Sequence, residues 1–175
     1  RYTKGQIHKA TKIDLEISSR RYLNHVQDVV MRVCGVEIKG NDAVISLLSM
    51  QDEIFDIPDC RVRRITLERV SSREALREFQ FTFAKLMSDY KIDRVIIRER
   101  PTKGKFAGSS IGFKLEAAIQ LIDKLEVELV TPLAIKEYIK KNPISVAYAD
   151  TGLKGFQEAA FATAYGYLMH SYYTE

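Results

Sequence analysis

The chain has 175 residues, of which 46% are apolar and 10% aromatic, with nine glycines, four prolines and two cysteines. This length and composition suit one globular domain with a sizeable core, and they exclude collagen-like, low-complexity and disordered classes. The formal net charge of +4 comes mainly from residues 1–30, which carry six basic and three acidic side chains. From residue 31 onward the charges nearly cancel, so the net charge alone does not identify a polyanionic partner.

The cysteines and the apolar segments indicate where the protein resides. Cys34 and Cys60 have no metal-ligand spacing between them, and we expect two reduced thiols. No apolar run approaches the roughly 18–20 residues of a membrane span, and the first residues lack the apolar core of a signal peptide. We therefore expect a cytoplasmic protein without a membrane partner.

The composition changes at Met31, where a polar and weakly periodic segment gives way to the apolar run MRVCGVEI. We expect residues 31–175 to form one domain. Residues 1–30 are expected to be an N-terminal extension, and three origins remain open for it: added sequence, an over-long gene model or a flexible arm.

The first elements predict an antiparallel meander. Two β-branched runs, 32–38 and 43–49, are joined by the turn residues KGND and predict a hairpin. Residues 51–59 are acidic, end in Pro58-Asp59 and predict a loop. Residues 61–69 alternate between polar and apolar side chains, which predicts a third strand.

The rest of the chain alternates between helices and strands. Ser71 with Glu74 has the spacing of a capping box and predicts the start of a helix. The predicted order is a helix over 72–90, a strand over 94–97, a loop over 102–110, a helix over 111–124, a strand over 127–130, a helix over 132–140, a loop over 142–155 and a helix over 156–170. The complete order is βββαβαβαα.

Three acidic residues lie at informative positions in this pattern. Glu37 lies inside the first apolar strand, where an unpaired acid is costly. Glu99 follows the strand RVII directly, and Glu158 opens a final helix rich in small residues. Each acid also has a structural interpretation, in particular a salt bridge from Glu37 to Arg98, Arg100 or a lysine.

The element order and three motifs resemble the RuvC group of the ribonuclease H-like superfamily. GVEIKG resembles the first strand of RuvC-type resolvases, VIIRERP resembles their second acidic strand, and QEAAFATAYGYL resembles their last helix. The resemblance spans about residues 31–170 and implies an α/β fold with a mixed five-stranded sheet and helices on both faces. It also suggests a small bacterial family within that superfamily.

The resemblance implies a metal-dependent endonuclease that cleaves phosphodiester bonds in structured DNA or RNA. Mg²⁺ or Mn²⁺ would be held by Glu37, Glu99 and Glu158, with Asp150 as a substitute or fourth ligand, because hard cations prefer anionic oxygen ligands. These acids are then the candidate catalytic residues, and nucleic acid is the expected partner. Resolvases of this group act as dimers, so a homodimer is also a candidate.

A basic loop follows Glu99 and supplies candidate substrate contacts. Arg100, Lys103, Lys105 and Ser109 carry donors that suit backbone phosphates. A loop that is merely solvated has the same composition, so this interpretation stays open.

Two departures from the family pattern support an alternative function. The family has Asp where this chain has Glu37, and Ala159 stands where a second acid is common after Glu158. The alternative is a catalytically inactive ribonuclease H-like module that binds nucleic acid or protein through the same surface.

Overall fold

The computed structural model describes residues 30–69 and 72–174. The strands are β1 (Met31–Lys39), β2 (Asp42–Gln51), β3 (Ile54–Asp56), β4 (Arg64–Thr66), β5 (Arg94–Arg98) and β6 (Glu126–Val130). The helices are α1 (Arg73–Asp89), α2 (Ser110–Gln120), α3 (Pro132–Lys141) and α4 (Glu158–Thr174), with 3₁₀ turns at Tyr148–Thr151 and Gly155–Gln157. The expected N-terminal extension lies almost wholly outside the described residues.

The β1–β2 hairpin forms the centre of a mixed sheet. The two strands pair antiparallel from Met31↔Met50 to Lys39↔Asp42, and Gly40 at φ 58° supplies the left-handed turn position between them. β1 then pairs parallel with β5, and β5 pairs parallel with β6. The strand order is β3–β2–β1–β5–β6, which confirms the predicted α/β class.

The prediction of one third strand over 61–69 is wrong, and so is the prediction of a loop throughout 51–59. The edge of β2 instead carries two short strands, β3 and β4, which makes the sheet six-stranded. Asp52 and Glu53 adopt φ 51° and 65° and turn the chain tightly from β2 into β3. Pro58 then follows β3 and has no N–H for a ladder, which favours the break before β4.

Strand alternation divides the core into two layers, as expected for helices on both faces. The α1–α2 face carries Cys34, Val36 and Ile38 of β1, and the α3–α4 face carries Val33. Both cysteines are free, as predicted, and burial raises the pKa of the Cys34 thiol far above its usual range. None of the described helices is both long and apolar enough to cross a bilayer.

Side-chain caps fix where the helices begin. Ser72 caps α1 by accepting from the N–H of Ala75 at 3.2 Å, while the predicted capping residue Ser71 lies outside the described residues. Ser109 caps α2 by accepting from the N–H of Gly112 at 3.0 Å. Thr131 caps α3, with proline in the first turn.

α4 approaches β1 so closely that only a glycine fits at position 35. A Cβ on Gly35 would lie 2.1 Å from the carbonyl oxygen of Ala160 and 2.8 Å from the Cβ of Ala164. The small residues of α4 and the bare backbone of β1 therefore allow the helix to rest directly on the sheet.

We expect Gly35→Ala to lower the free energy of unfolding by about 2–3 kcal/mol, since overpacking of a filled core has a cost of this order and the obstacle is backbone. Urea denaturation followed by circular dichroism measures it. Gly155→Ala is the matched control, because a Cβ there meets nothing within 4 Å. Equal losses in the two variants would refute the close-approach argument.

Candidate functional site

The carboxyl ends of β1 and β5 lie side by side, because these strands are parallel neighbours. Glu37 lies near this end of β1, on the α3–α4 face, two residues beyond Gly35. Its side chain is 17% exposed, and Nζ of Lys39 lies 3.5 Å from its Oε2. Oε2 is buried and accepts no hydrogen bond. The pairing with a lysine is thus one of the structural interpretations offered for Glu37.

β5 presents Arg98, and not Glu99, on the same face of the sheet as Glu37. Ile96 belongs to the core of the α3–α4 face, and Arg98 lines a cavity between residues of α3 and α4 on that side. Glu99 comes one residue later, donates its N–H to the carbonyl oxygen of Val130 at 2.9 Å and is exposed. Alternation therefore directs Glu99 to the opposite side of the sheet from Glu37.

Glu158 is also directed away from the sheet. In the first turn of α4 and the preceding 3₁₀ turn, the residue that faces the sheet is Gln157, which is buried and donates to the carbonyl oxygen of Ile45 at 2.9 Å. Glu158 is exposed near Tyr148. Burial raises the pKa of the Tyr148 hydroxyl, and the charge of Glu158 raises it further.

Asp150 lies at the other end of the sheet. It lines a cleft with β3, which pairs with Ser49–Gln51, whereas Glu37 pairs with Val44. At about 3.3 Å per residue, Val44 and Met50 are roughly 20 Å apart along β2. Asp150 is therefore not positioned to share an ion with Glu37.

These positions do not fit the metal-ligand set that the resemblance implies. Among the described residues, no three His, Cys, Asp or Glu side chains come close enough to hold one ion. A site for Mg²⁺ needs several converging oxygen ligands, and here Glu99 and Glu158 are exposed and directed away from Glu37. No catalytic step through a metal is derived from this geometry.

The loop over residues 102–109 extends from the same end of β5. Lys103 and Lys105 are exposed, and the loop contains no acid. Phe106 is 80% exposed, and Nζ of Lys105 lies 5.8 Å from its ring centroid. The hydroxyl of Ser109 is used as the α2 cap, so it is committed to the backbone.

Arg100 anchors this loop from beneath. Its Nη2 lies 3.3 Å from Oε2 of Glu116, both side chains are only 12–13% exposed, and its guanidinium packs 4.5 Å from the Phe113 ring centroid. A Cβ on Gly108 would meet Nη1 at 2.8 Å and one on Gly112 would meet it at 2.1 Å. Two glycines thus form the niche that holds a buried cation, and little of that cation remains accessible to substrate.

The family model described as a protein of unknown function, DUF3010, matches residues 31–167. The chain belongs to the DUF3010 family. No curated protein matches the chain significantly.

Two solved structures with 10–11% identity share the fold of this DUF3010 chain. *Thermus thermophilus* RuvC matches with a TM-score of 0.64 at 10% identity, over 82% of this chain and 96% of RuvC. The same organism's RuvC in complex with a Holliday junction substrate matches with a TM-score of 0.61 at 11% identity, over the same shares. At such identity the likeness shows the ribonuclease H-like fold, which confirms the predicted fold and its superfamily.

The sequence-based search missed two features of this surface. Arg98 could have been placed beside Glu37 from the period-two pattern of both strands, since Gly35 pairs with Ile96 in the register. Phe106 carried a signal as well, because an aromatic residue between lysines and glycines has no core to enter.

We expect Glu116→Ala to destabilise the domain by about 2–3 kcal/mol, since it leaves the guanidinium of Arg100 buried without its partner. Chemical denaturation measures the loss, and hydrogen exchange in the 102–109 loop should rise. The control is Asp89→Ala, which removes the exposed Lys85–Asp89 pair and should cost less than about 0.5 kcal/mol. A Glu116 variant no less stable than the control would show that the buried pair does not hold the loop.

Proposed function

We propose that this domain is a ribonuclease H-like module that binds nucleic acid through the carboxyl ends of β1 and β5 and the adjoining 102–109 loop. The observation that carries the proposal is the exposed, acid-free loop in which Phe106 stands with Lys103 and Lys105. Lysines bind backbone phosphates, and exposed aromatic rings stack on bases that are out of a duplex. Support from the fold is that a structural neighbour was solved with a Holliday junction.

Arg98 favours binding over hydrolysis at this surface. It places a permanent cation on the face of β5 that adjoins Glu37, and Lys39 adds a second cation on that side. Cations are suited to hold a phosphodiester, whereas hydrolysis by the implied mechanism needs converging acids to hold its ions. The module therefore binds the backbone without the ligand set for cutting it.

We expect the double variant Lys103→Gln, Lys105→Gln to bind a fluorescent 20-nucleotide single strand about tenfold more weakly at low salt. Its salt slope should fall by about two, since each lost phosphate contact lowers the slope by about one. Phe106→Ala should weaken binding with little change of slope. Fluorescence anisotropy across a salt series measures all three.

The matched control is Lys85→Gln, which removes an exposed lysine from α1 on the other face of the sheet. Full-strength binding by the loop variants would exclude the loop as the contact surface. Absence of binding to single strands, duplexes, hybrids and four-way junctions by the wild type would exclude the proposed function.

A metal-dependent nuclease is the second candidate, and one observation favours it. Oε2 of Glu37 and Oγ of Ser46 are both buried without hydrogen-bond partners. The register pairs Glu37 with Val44 and Gly35 with Ser46, so these two side chains are diagonal neighbours on one face. Two unsatisfied oxygens in this position suit a cation that Glu37 would hold.

Titration of the wild type and Glu37→Gln with Mn²⁺ by calorimetry separates the candidates. The binding proposal expects no saturable heat that depends on Glu37 and no cleavage of a labelled panel with Mg²⁺ or Mn²⁺. Heat that disappears in Glu37→Gln together with cutting of any substrate would replace it with the nuclease. Light scattering on the same samples tests the expected homodimer, because a four-way junction presents two symmetric sites.

A further inference from the structure

A cavity of about 520 Å³ opens beside Arg98 on the α3–α4 face. It is lined by Arg98, Pro132, Leu133, Ile135, Lys136, Ile139 and Ala162. Its volume falls within the range of about 300–1,000 Å³ that small-molecule sites occupy. Leu133 is 70% exposed although it lies at the cavity, so a large apolar side chain there has no partner within the domain.

The lining combines an apolar wall with two cations and no acid. Leu133, Ile135 and Ile139 form the wall, while Arg98 and Lys136 carry the only charges of the lining. The start of α3 lies at the same place, because Pro132 occupies its first turn. A helix N-terminus adds a favourable potential for an anion beside the two cationic side chains.

We propose that this cavity binds a nucleoside phosphate, with the base against the apolar wall and the phosphate at Arg98 and Lys136. The inference rests on the proposed function, and it goes further because it assigns a pocket for one unstacked nucleotide. Arg98 is shared by the cavity and the β5 end from which the 102–109 loop extends, so a strand on that loop continues toward the cavity. This continuity and the positive lining favour a nucleotide over a purely apolar ligand.

The direct test is NMR of the full chain with labelled Ala, Ile and Leu methyl groups. Addition of thymidine monophosphate should shift the methyl groups of Leu133, Ile135, Ile139 and Ala162 and leave those of the α1–α2 face unchanged. A dodecamer of thymidine should shift the same methyl groups at lower concentration, which distinguishes a nucleotide within a strand from a free one. Decanoate, an anion with an aliphatic tail, is the competing probe.

Two variants measure what the cavity contributes to strand binding. Ala162→Phe fills it and Lys136→Gln removes one cation, and we expect each to weaken dodecamer binding by about fivefold to tenfold. The matched control is Thr82→Phe, which fills a groove of about 200 Å³ between α1 and β4. Circular dichroism melting shows whether Ala162→Phe folds, and Lys136→Gln keeps the test valid if it does not.

The outcomes separate this inference from the proposed function. Strand binding that weakens with the loop lysine variants but not with Ala162→Phe or Lys136→Gln overturns the cavity and leaves the proposed function. A wild type that binds no strand overturns the proposed function, and the thymidine monophosphate shifts then decide the cavity alone. Methyl shifts with decanoate but with neither nucleotide probe overturn the nucleotide assignment.

Discussion

The contact between α4 and the backbone of β1 at Gly35 is the constraint on which the arrangement of this domain depends. The carbonyl of Ala160 and the side chain of Ala164 rest on a strand position that has no side chain. That contact fixes the rotation of α4, since residues that face the sheet lie about 140–200° around the helix from Glu158. Glu158 is directed outward by the same packing that makes the fold possible.

A second consequence concerns the part of the sheet beyond Gly35. α4 covers β1 as far as the glycine, and Glu37 lies past it with a partly exposed carboxylate and Lys39 beside it. On the other face, Arg100 is held by Glu116 and by the space that Gly108 and Gly112 leave. The sheet end thus presents its accessible cations, Lys39 and those of the loop, from elements that are anchored internally.

Much of the fold was predictable from the sequence, because hydrophobic periodicity and turn residues act locally. The β1–β2 hairpin, the buried strand β5 and the Thr-Pro start of α3 were all expected. The division of the third strand was not, since Asp52 and Glu53 adopt left-handed conformations that their residue types seldom adopt. The acids of the site were found as residues, but their directions depend on strand parity and on the rotation of α4, which a linear motif does not encode.

Parity has a functional consequence at β5. In RVIIRER a shift of one residue exchanges an arginine for a glutamate on the face that adjoins Glu37, and the register with β1 places Arg98 there. An acid at this point would join Glu37 in repelling a phosphate unless a metal ion neutralised both. An arginine attracts the phosphate without any ion, and it also borders an apolar cavity large enough for a nucleoside. The same fold can therefore hold a nucleic-acid backbone at this position with side chains alone, which relates the choice between binding and cutting to the direction of one residue.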